Sequence, residues 1–169
     1  MSDPYRRIAR FYDAVVEPFN ATLRSYVVKV ARPTEGTKVL EIGCGTGTNL
    51  ELFADGSFDL VLSFLTLHEM PTDIRSPVLQ EMVRVAGPAG KVLLIDYHPG
   101  PLHIPKGWFY KSVIYAIEFG AGWEHFQNHR DFLARKGLPA LMTDNGLSVT
   151  KERILAGGNI HVVLANSRA

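Results

Sequence analysis

The sequence predicts an α/β fold: a mainly parallel sheet with helices on its faces, ended by a C-terminal antiparallel hairpin. Three observations carry that expectation. Short apolar runs at 38–42, 58–64 and 91–97 alternate with segments of helical period, the pattern of strand–helix–strand units. A glycine-rich turn, Gly43-Cys44-Gly45-Thr46-Gly47, stands between the first run and a helical stretch. The last two strand-like runs, 149–154 and 160–165, are joined by the turn Ala156-Gly157-Gly158-Asn159.

The elements follow in order. Within residues 4–30, Ile8, Phe11, Val15, Phe19 and Leu23 recur every three to four positions, which predicts helix, with Pro18 as a break or a second start. Pro33 to Thr37 is a linker, and Lys38 to Ile42 is a short strand. After the glycine turn, Thr48 to Ala54 is helical and Asp55-Gly56-Ser57 turns the chain into a second strand, Phe58 to Phe64. A helix is expected over Ser76 to Val85, with Pro77 in its first turn, stopped by Gly87-Pro88-Ala89-Gly90. Lys91 to Tyr97 is almost wholly apolar, as a strand covered on both faces should be. Helical patterns return at 107–119 and 129–146.

Composition narrows the function classes. The 169 residues suit one domain, and 46% apolar with 21% charged residues excludes disorder, collagen and a disulfide scaffold. Eighteen Lys and Arg against 17 Asp and Glu give a net charge of +1. That lacks the basic excess of a nucleic-acid binder. The single cysteine, Cys44, excludes an internal disulfide and a cysteine-based zinc site. No run nears 18 apolar residues, and Met1 to Arg7 has no signal-peptide core. A soluble cytoplasmic protein is expected.

The glycine turn gains meaning from its surroundings. Glycines between a strand and a helix allow a tight turn and a close backbone approach to a ligand, beside the free N–H groups of a helix start. Val39-Leu40-Glu41-Ile42-Gly43-Cys44-Gly45-Thr46-Gly47 resembles the first motif of class I S-adenosylmethionine-dependent methyltransferases. Phe58 to Ser63 resembles their fourth strand. Leu79 to Ile95 resembles the helix, Pro-Gly turn and fifth strand that follow. Tyr5-x-x-Ile8-Ala9-x-Phe11-Tyr12-Asp13 is similar to the opening helix of the quinone-biosynthesis and phospholipid branch.

The resemblance implies a Rossmann-like sheet and S-adenosylmethionine as cofactor. It places Gly43, Gly45 and Gly47 against the methionine part and Glu41 near its amino group, with Cys44 as a small filler of the turn. Tyr12 joins this set. Ser63 and His68 follow the fourth strand, at the sheet edge that faces the ligand crevice in open α/β folds, and are expected to line it; His68 is also a candidate base. The domain then divides into an N-terminal helical cap (1–32), a cofactor-binding core (38–99), an acceptor lid (100–147) and the closing hairpin (148–169).

One departure stands out. The family's second and third strands, which hold the cofactor's ribose and adenine, have no counterpart. Gly47 and Asp59 are 12 positions apart, room for one short helix. Residues 43–57 supply 15 residues, and a parallel crossover needs about a dozen. The expected sheet, in family numbering, is ordered 1-4-5-7-6, with the first strand at an edge. An open apolar edge invites pairing, so a homodimer with an interface near 38–58 is expected.

Other candidates are weighed beside this one. His125-x-x-x-His129 has the spacing that puts two imidazoles on one helical face, but Phe126 stands where a zinc protease has Glu. A polar helix face is expected there, and no metal. Ser63, His68 and Glu69 lack the Gly-x-Ser-x-Gly elbow of a hydrolase. The fourth strand runs into Ser63-Phe64-Leu65 rather than the Asn/Asp-Pro-Pro-aromatic motif of enzymes acting on DNA amines, which favours a small-molecule or lipid-like acceptor. Trp108 to Phe119 is rich in aromatics and reads as an acceptor lid, a core helix or a membrane-surface helix. The expected function is methyl transfer; the alternative is a non-catalytic remnant acting as a dimerising module.

Overall fold

The computed structural model describes residues 17–43 and 53–167. Ten main elements run in order: α1 (Glu17–Ala31), β1 (Val39–Ile42), β2 (Leu60–Phe64), α2 (Thr72–Ala86), β3 (Lys91–Tyr97), α3 (Lys106–Ala121), α4 (Trp123–Ala134), α5 (Gly137–Asp144), β4 (Leu147–Leu155) and β5 (Ile160–Ser167). Single 3-10 turns at Leu67–Glu69 and Ala156–Gly158 complete them.

The five strands form one sheet in the order β1-β2-β3-β5-β4, which is the order expected. β1 and β2 pair in parallel from Val39 opposite Leu60 to Ile42 opposite Ser63, and β2 pairs in parallel with β3. β5 then runs antiparallel between β3 and β4. The start of β1 is fixed by Asp59, whose Oδ2 accepts the Lys38 N–H at 2.8 Å. That bond also explains why the second strand begins at Leu60 and not at Phe58.

Successive side chains along a strand face opposite ways, and β3 uses both. Val92 and Leu94 pack under α2, α4 and α5 with Leu79, Met82 and Phe132, whereas Leu93 and Ile95 meet Leu23 and Val27 of α1 and Ile114 of α3. All four strand residues are at most 1% exposed. Burial on that scale stabilises by about 1.5–3 kcal/mol per aliphatic side chain, so β3 anchors both cores.

Two helices differ from expectation. The pattern over 129–146 divides into α4 and α5, because Lys136 and Gly137 both take left-handed backbone angles (φ 70 and 59). A continuous helix cannot pass two such residues. α2 starts at Thr72 rather than Ser76, so Pro77 lies inside it. Pro71, extended at φ −53 and ψ 149, is the true boundary.

At the other end of the sheet, the first turn of α3 docks on the turn before β5. The Gly107 and Gly157 backbones meet so closely that a Cβ on Gly107 would stand 2.3 Å from the Gly157 carbonyl oxygen. The Asn159 amide donates to the Gly107 carbonyl at 2.8 Å.

Candidate functional site

Two sites occupy the carboxyl ends of the strands. The first is the end of β1. Glu41 is exposed on one face of the strand and Ile42 is buried on the other, with Gly43 following in the open. A Cβ on Gly43 would meet nothing within 4 Å. Ser63 lies opposite Ile42 and is fully buried, with its Oγ bonded to nothing. A buried hydroxyl without a partner is costly, and this one sits beside the strand end where a ligand is expected. Tyr12, Cys44, Gly45 and Gly47 lie outside the described residues.

The Glu41 carboxylate and the open glycine strand end have the chemistry that the methionine end of S-adenosylmethionine needs, while the unsatisfied Ser63 hydroxyl is on the other face of the sheet. For the ribose and adenine end there is no match among the described residues. β2 is the next described strand after β1, with no acid-tipped strand between them among the described residues.

The second site is an acid–imidazole cluster assembled from four places in the chain. His68 sits in the 3-10 turn after β2, Asp96 near the end of β3, Glu118 on α3 and His129 on α4. All four are at most 4% exposed. The His68 Nδ1–H donates to Asp96 Oδ1 at 2.7 Å, and the His68 backbone N–H donates to Asp96 Oδ2 at 3.2 Å. On the far side of the ring, Nε2 lies 3.4 Å from Glu118 Oε1, an ion-pair separation rather than an aligned hydrogen bond. Glu118 Oε1 also accepts the Tyr97 hydroxyl at 2.9 Å. The His129 ring stands edge-on to His68 and Tyr97, 5.6 and 4.7 Å between centroids.

Burial opposes charge on His68, but the carboxylates of Asp96 and Glu118 outweigh it and push the imidazole up to about 10. Burial also acts against ionised Glu118, which is nevertheless held below its ordinary range by His68. His129 goes the other way: burial, reinforced by charged His68, pushes it down to about 4. At neutral pH one ring is thus charged and clamped while its neighbour is neutral, a separation set by environment alone.

A buried arginine fixes the turn that carries His68. Arg75 Nε donates to the carbonyls of Leu67 and Met70, Nη1 bonds Asp131 Oδ2 at 2.8 Å and Nη2 donates to the Asn128 carbonyl. Asn128 in turn donates to the Glu69 carbonyl at 2.8 Å. The turn, α2 and α4 are therefore held as one unit.

The sequence candidates fall unevenly on this geometry. Glu41 and Gly43 stand exposed at the end of β1 and Ser63 is buried on the opposite face of the sheet from Glu41, whereas His68 is 1% exposed and belongs to the cluster. A ring that keeps its proton at neutral pH is a hydrogen-bond donor, so the expected base role does not fit this arrangement. The acid bonded to His68 is Asp96; Glu69 Oε1 is 4.0 Å from its Nε2. Ser63 makes no hydrogen bond to any imidazole. The 125/129 spacing misled, since His129 is 1% exposed and points into the core, not onto a polar face. The aromatic helix is divided: Gly107, Ile114, Glu118 and Ala121 are buried, while Trp108, Phe109 and Phe119 are 56–68% exposed. Asp96 and Glu118 were missed, although each is an acid isolated in an apolar element.

Residues 12–94 match the methyltransferase domain family. An uncharacterized methyltransferase of Synechocystis is 30% identical over 121 residues, an alignment covering 68% of this chain and 50% of that protein. The chain therefore spans about half the length of the curated relative it matches. Among solved structures, the PH0226 protein of Pyrococcus horikoshii is 13% identical, with a TM-score of 0.62 over 99% of this chain and 100% of its own. A SAM-dependent methyltransferase of Thermotoga maritima is 15% identical, with a TM-score of 0.59 over 99% of this chain and 100% of its own. The chain thus has a Rossmann-like fold, and the stretch that matches the family contains α1, β1, β2, α2 and the first four residues of β3.

Proposed function

We propose that this protein is a methyltransferase that transfers a methyl group from S-adenosylmethionine to a small-molecule or lipid-like acceptor. The observation that carries the reading is the end of β1, where Glu41 and open Gly43 stand exposed side by side. Glu41 would attract the cofactor's ammonium, Ser63 would bond its polar end, and Gly43 with Cys44, Gly45 and Gly47 would let the backbone approach, with Tyr12 closing over it. When bound, S-adenosylmethionine supplies a methyl on a cationic sulfur for in-line displacement by an acceptor nucleophile. The protein's part is alignment, since holding two reactants in attack geometry removes about 7–11 kcal/mol of barrier.

In this reading residues 1–32 cap the domain, 38–99 hold the cofactor, 100–147 form the acceptor lid and 148–169 close the sheet. The exposed aromatics of α3 support a lid that takes an apolar acceptor. A cytoplasmic homodimer of the shortened quinone and phospholipid type completes the proposal.

Calorimetric titration with S-adenosylmethionine and its demethylated product tests it. Micromolar binding by the full chain, abolished by Gly45→Val in a protein that stays folded, is the expected result. Absence of binding would favour the alternative, a non-catalytic dimerising remnant.

A further inference from the structure

We propose that His68, Glu118 and His129 form a binding site for one divalent metal ion of the zinc type. One ligand atom from each lies within 4.8 Å of the other two, and all three residues are buried. Two imidazoles and one carboxylate are a donor set that zinc uses where three protein ligands leave a fourth position open. Zinc bonds of about 2.0–2.2 Å in a tetrahedron put ligand atoms about 3.4 Å apart, and His68 Nε2 is 3.4 Å from Glu118 Oε1. His129 lies within 4.8 Å of both partners and needs to come in by up to about 1.4 Å to meet that geometry.

Three further features point the same way. Both ring nitrogens of His129 are buried without a hydrogen-bond partner, and such groups in a core call for an occupant; on His68 the ion would replace the Nε2 proton that faces Glu118, released to solvent on binding. Asp96 holds the other nitrogen of His68 at 2.7 Å, the carboxylate–imidazole support that orients metal-ligating histidines. Finally, a cleft of about 20 Å³, bordered by Tyr97, Ile114, Tyr115 and His129, adjoins the cluster. That is room for about one water molecule, the natural fourth ligand. The ion would tie β2, α3 and α4 together whether or not cofactor binds at β1, so the two readings stand or fall separately.

The test uses the full chain freed of metal by chelation. Zinc titration followed by calorimetry should give one ion per chain at micromolar or tighter Kd, and cobalt should bring up the visible bands of a four-coordinate ion. Glu118→Gln and His129→Gln should each weaken uptake by about 100-fold or more, and Asp96→Asn by about 10–100-fold. His125→Ala should change nothing. Circular dichroism of the metal-free variants checks that they fold. If Glu118→Gln does not, X-ray absorption of the cobalt-loaded wild type decides: two imidazole nitrogens and a carboxylate oxygen support the site, and any other set of protein ligands overturns it. No stoichiometric uptake, uptake that survives both substitutions, or uptake lost in His125→Ala would also overturn it.

Discussion

Ser63 shows how a single atom separates a structural from a ligand-binding role. Its hydroxyl is buried beside the end of β1 and has no hydrogen-bond partner among the described residues, so folding has already stripped it of water. Removing such a group is close to neutral or stabilising, by up to about 1–2 kcal/mol. Ser63→Ala is therefore expected to keep or raise Tm while weakening binding of the demethylated cofactor. Thermal melts and calorimetry on one preparation check both; a lower Tm with unchanged affinity would make the hydroxyl a core group. The sequence exposed Glu41, Gly43 and Ser63 because they follow strands in a familiar order. It hid the acid–imidazole cluster because residues 68, 96, 118 and 129 meet only after four elements have packed. Isolated acids in apolar segments, Asp96 and Glu118, were the available signal.

Among the elements, α3 has two faces with opposite expectations. Trp108 is 56% exposed and Phe132 of the neighbouring core is 2% exposed. Phe132→Ala should cost about 3–5 kcal/mol, whereas Trp108→Ala should leave Tm near that of the wild type and weaken only acceptor binding. Urea melts of the two variants measure the contrast; a collapse of Trp108→Ala would remove the lid reading. The adjacent Gly107 has no such freedom. A side chain there meets the Gly157 carbonyl, so Gly107→Ala should cost about 1–3 kcal/mol through overpacking, read as a lower denaturation midpoint. Strands and their order were legible in the sequence, since apolar runs bounded by turn residues admit few arrangements. The α4–α5 break is marked too, by the basic residues, glycine and proline of Arg135-Lys136-Gly137-Leu138-Pro139, a helix stop that the apolar period alone conceals. The Gly107–Gly157 contact was not legible, because it brings together residues 50 positions apart.

For the whole molecule, β1 is the feature that reaches outward. It is the edge of the described sheet, with Val39 43% exposed and Leu40 half-buried, while α1 packs on the sheet face through Leu23 and Val27. Covering about 400 Å² of such surface is worth on the order of 10 kcal/mol before association costs. A homodimer paired near residues 38–58 is expected, and sedimentation equilibrium at about 100 μM should show twice 18.8 kDa; a monomer there would refute it. The central place of β5 bears on a different event, the birth of the chain. β3 is made early but its second neighbour comes last, with Val92 aligned to Ala165. At about 5–20 residues per second, the ribosome needs roughly 4–14 s to travel from the end of β3 to the end of β5. Throughout that interval Leu93 and Ile95 lack their final cover, and the nascent chain presents an unpaired apolar strand to whatever chaperone or neighbouring polypeptide reaches it first.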